Sequence, residues 1–325
     1  MSSTAASGGP DPDVPGSGSL PIWVIAGPTA VGKTAVGIAL AQRLGGEILS
    51  ADSRQVYRGM TIGTSKPTDS EQARVRHHLI DVADPRSHYT AADFARDARQ
   101  VIAELDRRRV PAIVVGGSGL YLRALIDGLF AGPGRQPEIR AELEAWADRE
   151  GSEPLHAALA RVDPESARRL HPNDRVRLVR ALEVERASGK PLSDWHRERA
   201  HHSLRGRTRY VVLDREDPDL DARIAVRTRE MFATGLIEEA RSLLAAGLGP
   251  DHSTYRTIGY AEAFAVLRGE MALASAIIAT TQATRQFARR QRTWFRAVPG
   301  AEWVALSAGD PPGAVADKLT GLDPT

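Results

Sequence analysis

Eight consecutive residues, Gly27-Pro28-Thr29-Ala30-Val31-Gly32-Lys33-Thr34, fill the pattern G-x-x-x-x-G-K-[ST] at every fixed position. The chemistry such a loop can do is anion capture. Its backbone N–H groups converge on one point, and a helix starting at its end adds a favourable dipole. Lys33 is placed to reach terminal phosphates, and Thr34 to offer its hydroxyl to Mg²⁺. The flanks supply the context this needs: the apolar, β-branched run Ile22–Ala26 reads as a buried strand, and a helix follows from about Lys33 to Leu44. The loop binds a di- or triphosphate, a nucleotide such as ATP included, but a cradle does not specify what is done with its ligand.

Other residues narrow the chemistry. A base-reading N-K-x-D element is absent. The apolar strand at 111–115 ends in two glycines where ATP-hydrolysing machines carry an acid, and Leu213-Asp214 is a weak substitute. The D-D-x-x-D pattern with which many isoprenoid synthases hold diphosphate through metals is missing too, so an isoprenyl diphosphate would have to sit on the P-loop. Asp52 follows the strand Glu47–Ser50, at the carboxyl edge where open α/β sheets carry their sites. By position it is a general base, an outer ligand of Mg²⁺ or a helix cap. Gly116-Gly117-Ser118-Gly119 leaves a second strand end; its glycines admit a ligand close to the backbone or simply form a turn. Arg223 and Arg227, four apart on a predicted helix, share a face that suits solvent as well as phosphate.

These residues need a frame, and the apolar pattern supplies one. Strands at 22–26, 47–50 and 111–115 alternate with helical spacing at 33–44 and 91–108, which argues for a parallel sheet with right-handed crossovers. From 136 to 209 only helical stretches follow, broken by Pro154, Pro164, Pro172 and Gly189; then Tyr210-Val211-Val212-Leu213-Asp214 restores a strand and helices run from 220 to 296. The fold expected is α/β, a P-loop NTPase-like parallel sheet flanked by helices with a nucleotide-kinase-like core and an all-α insertion domain. Its parts are a disordered tail at 1–19, core at 20–132, insertion at 133–209, core with C-terminal helices at 210–305, and a loosely held tail at 306–325.

Bulk properties exclude several classes. Cysteine is absent, which removes disulfides, thiolate catalysis and Cys-ligated metal centres. A net charge of +2 hides local clusters of arginine, whose fork suits phosphate better than lysine does. No apolar run reaches membrane-span length, and the acidic, Gly/Pro/Ser-rich N-terminus has no signal-peptide core, so the expected setting is cytoplasmic and the expected state monomeric.

Five segments, in order, resemble the bacterial tRNA dimethylallyltransferase family: GPTAVGKT from Gly27, SADSRQVYRGMTIGTSKPT from Ser50, GGSGLYLRAL from Gly116, HPNDRVRLVRALEV from His171 and TRQFARRQRTWFR from Thr284. The resemblance implies transfer of a dimethylallyl group from dimethylallyl diphosphate to N6 of adenosine 37 beside a tRNA anticodon. The P-loop would hold the donor's diphosphate, and ATP hydrolysis would not be needed. By this resemblance Thr29, Lys33 and Thr34 match diphosphate and Mg²⁺ positions, Asp52 matches the general base, and Arg227 matches an arginine serving the diphosphate, with Arg223 beside it. Thr29 and Arg227 thereby join Asp52 as catalytic residues. A base is needed because an adenine amine, its lone pair delocalised, is a poor nucleophile. The target base must also be splayed out of its stack to be reached.

The same resemblance assigns the RNA side to Asp52, Ser53, Arg54 and Gln55, to Ser118 and Arg140, to Val176, Arg177, Leu178, Val179 and Arg180, and to Arg256, Thr257, Ile258, Gly259 and Tyr260. Arg175, Arg177 and Arg180 form a basic ridge. Arg285, Arg289, Arg290, Arg292 and Arg296, interleaved with Phe287, Trp294 and Phe295, make a basic helix whose aromatics are expected inside. Two positions depart from the family's pattern: Ser118 stands where threonine is common, keeping the hydroxyl, and Ala261 stands where a lysine is. Two other readings compete. A P-loop small-molecule kinase predicts saturable ATP binding; a nucleotide-gated RNA-binding regulator uses the loop and the arginines but leaves Asp52 without a task.

Overall fold

The computed structural model describes residues 19–128, 132–197 and 203–321. Six parallel strands form one sheet in the order β3-β2-β4-β1-β5-β6: β1 (Ile22–Ala26), β2 (Glu47–Ser50), β3 (His77–His78), β4 (Ala112–Gly116), β5 (Thr208–Asp214) and β6 (Glu302–Ala305). Helices α1 (Lys33–Leu44), α2 (Asp69–Arg74), α3 (Ala91–Arg108) and α4 (Gly119–Ile126) fall among the first four strands. After β5 come α10 (Asp217–Ala233), α11 (Leu236–Ala245), α12 (Tyr260–Leu267), α13 (Leu273–Arg296) and, past β6, α14 (Pro312–Thr320). Between α4 and β5 lie α5 (Pro137–Glu150), α6 (Glu153–Val162), α7 (Pro164–Arg169), α8 (Arg175–Ser188) and α9 (Leu192–Arg197).

Strand β1 is buried on both faces, which is why its run is continuously apolar. Its side chains alternate: Ile22, Val24 and Ala26 join the layer holding Phe94, Leu122 and Phe264, while Trp23 and Ile25 join the layer holding Ile38, Leu40 and Leu319. The expected P-loop NTPase-like parallel sheet flanked by helices is the fold observed.

The chain divides into two compact units, residues 1–126 with 204–325, and residues 127–203. The division falls about six residues earlier than the expected 133 and 209, because Thr208 and Arg209 already belong to β5. The N–H of Leu204 donates to the carbonyl of Ile126 at 2.7 Å, so the chain leaves and rejoins the larger unit at one point. The smaller unit is helical, with its own core of Leu143, Leu155, Leu159, Leu178, Val179 and Leu182.

One expectation fails. Of the expected loosely held tail at 306–325, the described part, 306–321, is packed. Val315, Ala316 and Leu319 of α14 are buried in the layer that includes α1, and Asp317 takes a two-pronged ion pair from Arg43 at 2.5 and 2.8 Å. The buried apolar positions are only three, within little more than one helical turn, too short a stretch to show a period. Residues 1–18, read above as a tail, and 322–325 lie outside the described residues.

Candidate active site

The phosphate cradle is shaped by where side chains cannot fit. Gly27 has φ 144°, and a Cβ there would lie 2.4 Å from the carbonyl oxygen of Leu213 at the end of β5. Gly32, at φ 109°, precedes α1, whose first turn no side chain caps, so its N–H groups face an anion's position. Ala30 adopts φ 64°, a left-handed conformation costly for a residue with a Cβ, and cross-links hold the loop there. The carbonyl of Ala30 accepts from Arg223 Nε at 2.9 Å, and that of Val31 accepts from Arg215 Nε at 2.9 Å.

Lys33 folds back, its Nζ donating to the carbonyl of Pro28 at 2.7 Å. Burial pushes its pKa down to about 8; Asp52 opposes that shift and Arg227 adds to it. Arg227 donates from Nη2 to the hydroxyl of Thr29, while its Nε is buried without a partner. Burial is also the main cause lowering the Arg227 pKa. A desolvated cation with an unsatisfied donor, beside an uncapped helix start, is an arrangement that an anion would complete.

Asp52 accepts the N–H groups of Arg54 at 2.8 Å and Gln55 at 3.4 Å through one carboxylate oxygen, which fixes the turn leaving β2. Thr29, Lys33, Thr34, Asp52, Gln55 and Arg227 line one cavity of about 620 Å³. The sheet's carboxyl edge thus brings the P-loop, the carboxylate and the α10 arginines together. Ile48, Pro67, Val115 and Val226 give that cavity an apolar side.

The second glycine loop approaches protein on three sides. A Cβ on Gly116 would meet the carbonyl of Ala51 at 2.1 Å, one on Gly117 the Gln291 amide at 2.3 Å, and one on Gly119 the Trp294 indole at 2.2 Å. Ser118 accepts the N–H of Ser53 at 2.8 Å, so its hydroxyl steadies the turn that carries Asp52.

Two residues outside the sequence-based list hold the loops of the site in place. Gln291 accepts the N–H of Thr29 at 2.8 Å and donates to the carbonyl of Gly117 at 2.9 Å. Glu239 of α11 accepts the N–H groups of Thr61, Ile62 and Gly63, together with the hydroxyl of Tyr260. That loop continues to Thr64 and Ser65, whose carbonyls accept the Gln55 amide at 3.2 and 3.0 Å. The signal for Gln291 was present in its segment, but five arginines around it made the helix read as a basic surface.

Several residues expected on the RNA side are turned inward. Tyr260 is fully buried, Leu178 and Val179 belong to the core of the smaller unit, and Thr257 is buried. A contact through those side chains is not available in this structure. Arg140 and Arg180 both pair with Glu183, which is wholly buried, at 2.7 and 3.0 Å. Val176 is 73 % exposed, and Arg177 is exposed while paired with Asp174 at 2.7 Å. On α13, Phe295 is buried as expected but Phe287 is exposed, and Arg292 is spent on Asp214 and Asp217. Arg289, Arg290 and Arg296 are exposed, as are Arg54, half so, and Arg256. Among the described residues no helix is long and apolar enough to cross a membrane.

Comparison with known proteins agrees with this geometry. A sequence model described as IPP transferase matches residues 55–298. A tRNA dimethylallyltransferase of Myxococcus xanthus is 50% identical over 284 residues, covering 87% of this chain and 92% of that protein. One from Geobacter sulfurreducens is 46% identical over 299 residues, covering 92% and 96%. The crystal structure of a tRNA isopentenylpyrophosphate transferase from Bacillus halodurans superposes with a TM-score of 0.67 at 36% identity, over 93% of this chain and 96% of that one. A eukaryotic dimethylallyltransferase seen acting on tRNA superposes with a TM-score of 0.77 at 26% identity, over 94% and 80%. With this match spanning nearly all of both partners, the chain belongs to the IPP transferase family, the family of the tRNA dimethylallyltransferases.

Proposed function

We propose that this protein transfers a dimethylallyl group from dimethylallyl diphosphate to N6 of adenosine 37 in tRNA. The observation that carries the reading is that Asp52 lines the same cavity as the P-loop, so a base and a leaving-group cradle share one space. The donor's diphosphate lies on the uncapped start of α1, where Lys33 turns from Pro28 to meet it and the unpartnered Nε of Arg227 finds an acceptor. Its prenyl tail lies against Ile48, Pro67, Val115 and Val226. Asp52 hydrogen-bonds the adenine amine, orients it toward C1 and accepts its proton as the C–N bond forms and the C–O bond to diphosphate breaks. Lys33, Arg223 and Arg227 offset the charge that grows on the departing diphosphate.

Mg²⁺ fits this site as a phosphate-bound ion. No cluster of three acidic or histidine side chains able to hold a metal exists among the described residues, so Thr34, diphosphate oxygens and water would supply its ligands. Bound there, it would add positive charge beside the leaving group. The tRNA is met by exposed groups: Arg54 near the cavity, Arg256, Arg289, Arg290 and Arg296 on the larger unit, and Val176 and Arg177 on the smaller.

The test is incubation of the protein with Mg²⁺, dimethylallyl diphosphate and unmodified tRNA, followed by mass spectrometry of the digested nucleosides. An isopentenyl mass on adenosine, lost with Asp52→Ala, is expected. Folded, tRNA-binding protein that adds no mass, and that binds ATP in preference to the isoprenyl donor, would point to the kinase reading.

A further inference from the structure

We propose that Gln291 is a positioning residue for the reaction: its side-chain amide sets the separation between the leaving-group cradle and the base. The inference rests on the reading of the P-loop as the donor's site and deepens it.

The amide is 7 % exposed and its two ends face opposite chemistry. Oε1 accepts the N–H of Thr29, and Nε2 donates to the carbonyl of Gly117. Since one neighbour can only donate and the other only accept, the amide has a single satisfied orientation. Gly117 has no room for a Cβ because Nε2 already occupies that space.

Two chains of contact leave this amide. Toward the diphosphate, Thr29 is gripped twice, by Gln291 at its N–H and by Arg227 at its hydroxyl. Toward the base, Gly117 leads to Ser118, whose hydroxyl accepts from Ser53, the neighbour of Asp52. Helix α13 thereby spans the two glycine loops through one side chain, and the Thr29-to-Asp52 spacing passes through it. Alignment of nucleophile, carbon and leaving group is sensitive on this scale, since a displacement of about 1 Å costs roughly a hundredfold in rate. On the same helix Arg289 and Arg290 are exposed, so the helix proposed to meet the RNA also holds the cradle.

The test is a double-mutant cycle between Gln291→Leu and Thr29→Val, read in kcat and separately in the Kd for dimethylallyl diphosphate with tRNA omitted. Gln291→Leu is expected to lower kcat about 10- to 100-fold while the Kd for tRNA stays within about twofold. Thr29→Val is expected to cost much less in that background than in the native one. Gln291→Glu keeps an acceptor for Thr29 but sets a second acceptor against the Gly117 carbonyl, so it should lower kcat at least as far as Gln291→Leu. Unchanged kcat, or effects that multiply independently, would overturn the proposal. The affinity arm does not require prenyl transfer, so it judges Gln291 even if the protein transfers nothing, and independence there overturns the proposal equally.

Discussion

Donor binding should take up a proton, and the structure says at which pH. Burial among the cavity walls holds Lys33 near pKa 8 in the ligand-free protein. A diphosphate brought beside it should restore the value toward 10.5, the ordinary one. At pH 7 about nine-tenths of the free protein's Lys33 is already charged, so uptake is about 0.1 proton. At pH 8.5 only about a quarter is charged, and uptake rises to about three-quarters of a proton. Affinity should accordingly fall about fifteenfold between pH 8 and 9.5. The assay is isothermal calorimetry with dimethylallyl diphosphate in two buffers of different ionisation enthalpy, tRNA being omitted so that the donor is not consumed. A terminal phosphate ionises near pH 6, so the ligand contributes little above pH 8. Identical heats in both buffers at pH 8.5 would refute the account of Lys33, and Lys33→Met should produce that result by design. The same shift fixes a sign for stability. Between about pH 8 and 10.5 the unfolded chain binds more protons at this lysine than the folded one, so its contribution rises with pH across that window.

Asp52→Ala should lower turnover by roughly two to four orders of magnitude with little change in tRNA affinity; substantial turnover in single-turnover assays would remove it as the base. Arg177→Ala should weaken tRNA binding and reduce the slope of log K against log salt by about one unit if the side chain meets a phosphate, and an unchanged slope would place it elsewhere. Glu239→Ala leaves three backbone donors and the Tyr260 hydroxyl without their acceptor. It should cost about 2 kcal/mol in urea unfolding and weaken donor binding through the loop at Thr64 and Ser65; an unshifted midpoint would mean that water replaces the carboxylate.

The parts legible in the sequence are those governed by local rules. A complete P-loop pattern between a strand and a helix announces its own geometry, and β1, β2, β4 and α3 follow from runs long enough to show a period. Strand β3 has only two residues and β6 is an edge strand with one buried position, so neither carries a period to read. Helix α14 buries apolar residues over too short a stretch to show one. The resemblance located segments, but a segment does not say which way a side chain points. Leu178 and Val179 lie between exposed Val176 and Arg177 and the buried Ala181 and Leu182, and only packing decides that the first pair turns inward. Tyr260 and Glu239 are 21 residues apart, and Gln291 lies 262 from Thr29; such pairings are tertiary facts with no local signature.

The close seat of Gly27 against Leu213 has a bearing on the order in which the molecule can be assembled. The cradle is written early in the chain, yet its backing is the carbonyl at the end of β5, which is synthesised after all of residues 127–203. Until then β1 has β4 on one flank and nothing on the other, an unpaired edge of the kind that invites misassembly. A nascent chain halted within the helical unit carries the whole G-x-x-x-x-G-K-[ST] motif and no finished phosphate site. Ligand capture at this loop would thus be a late event in biogenesis, and any ligand bound there would stabilise only chains that have already closed the sheet around β1.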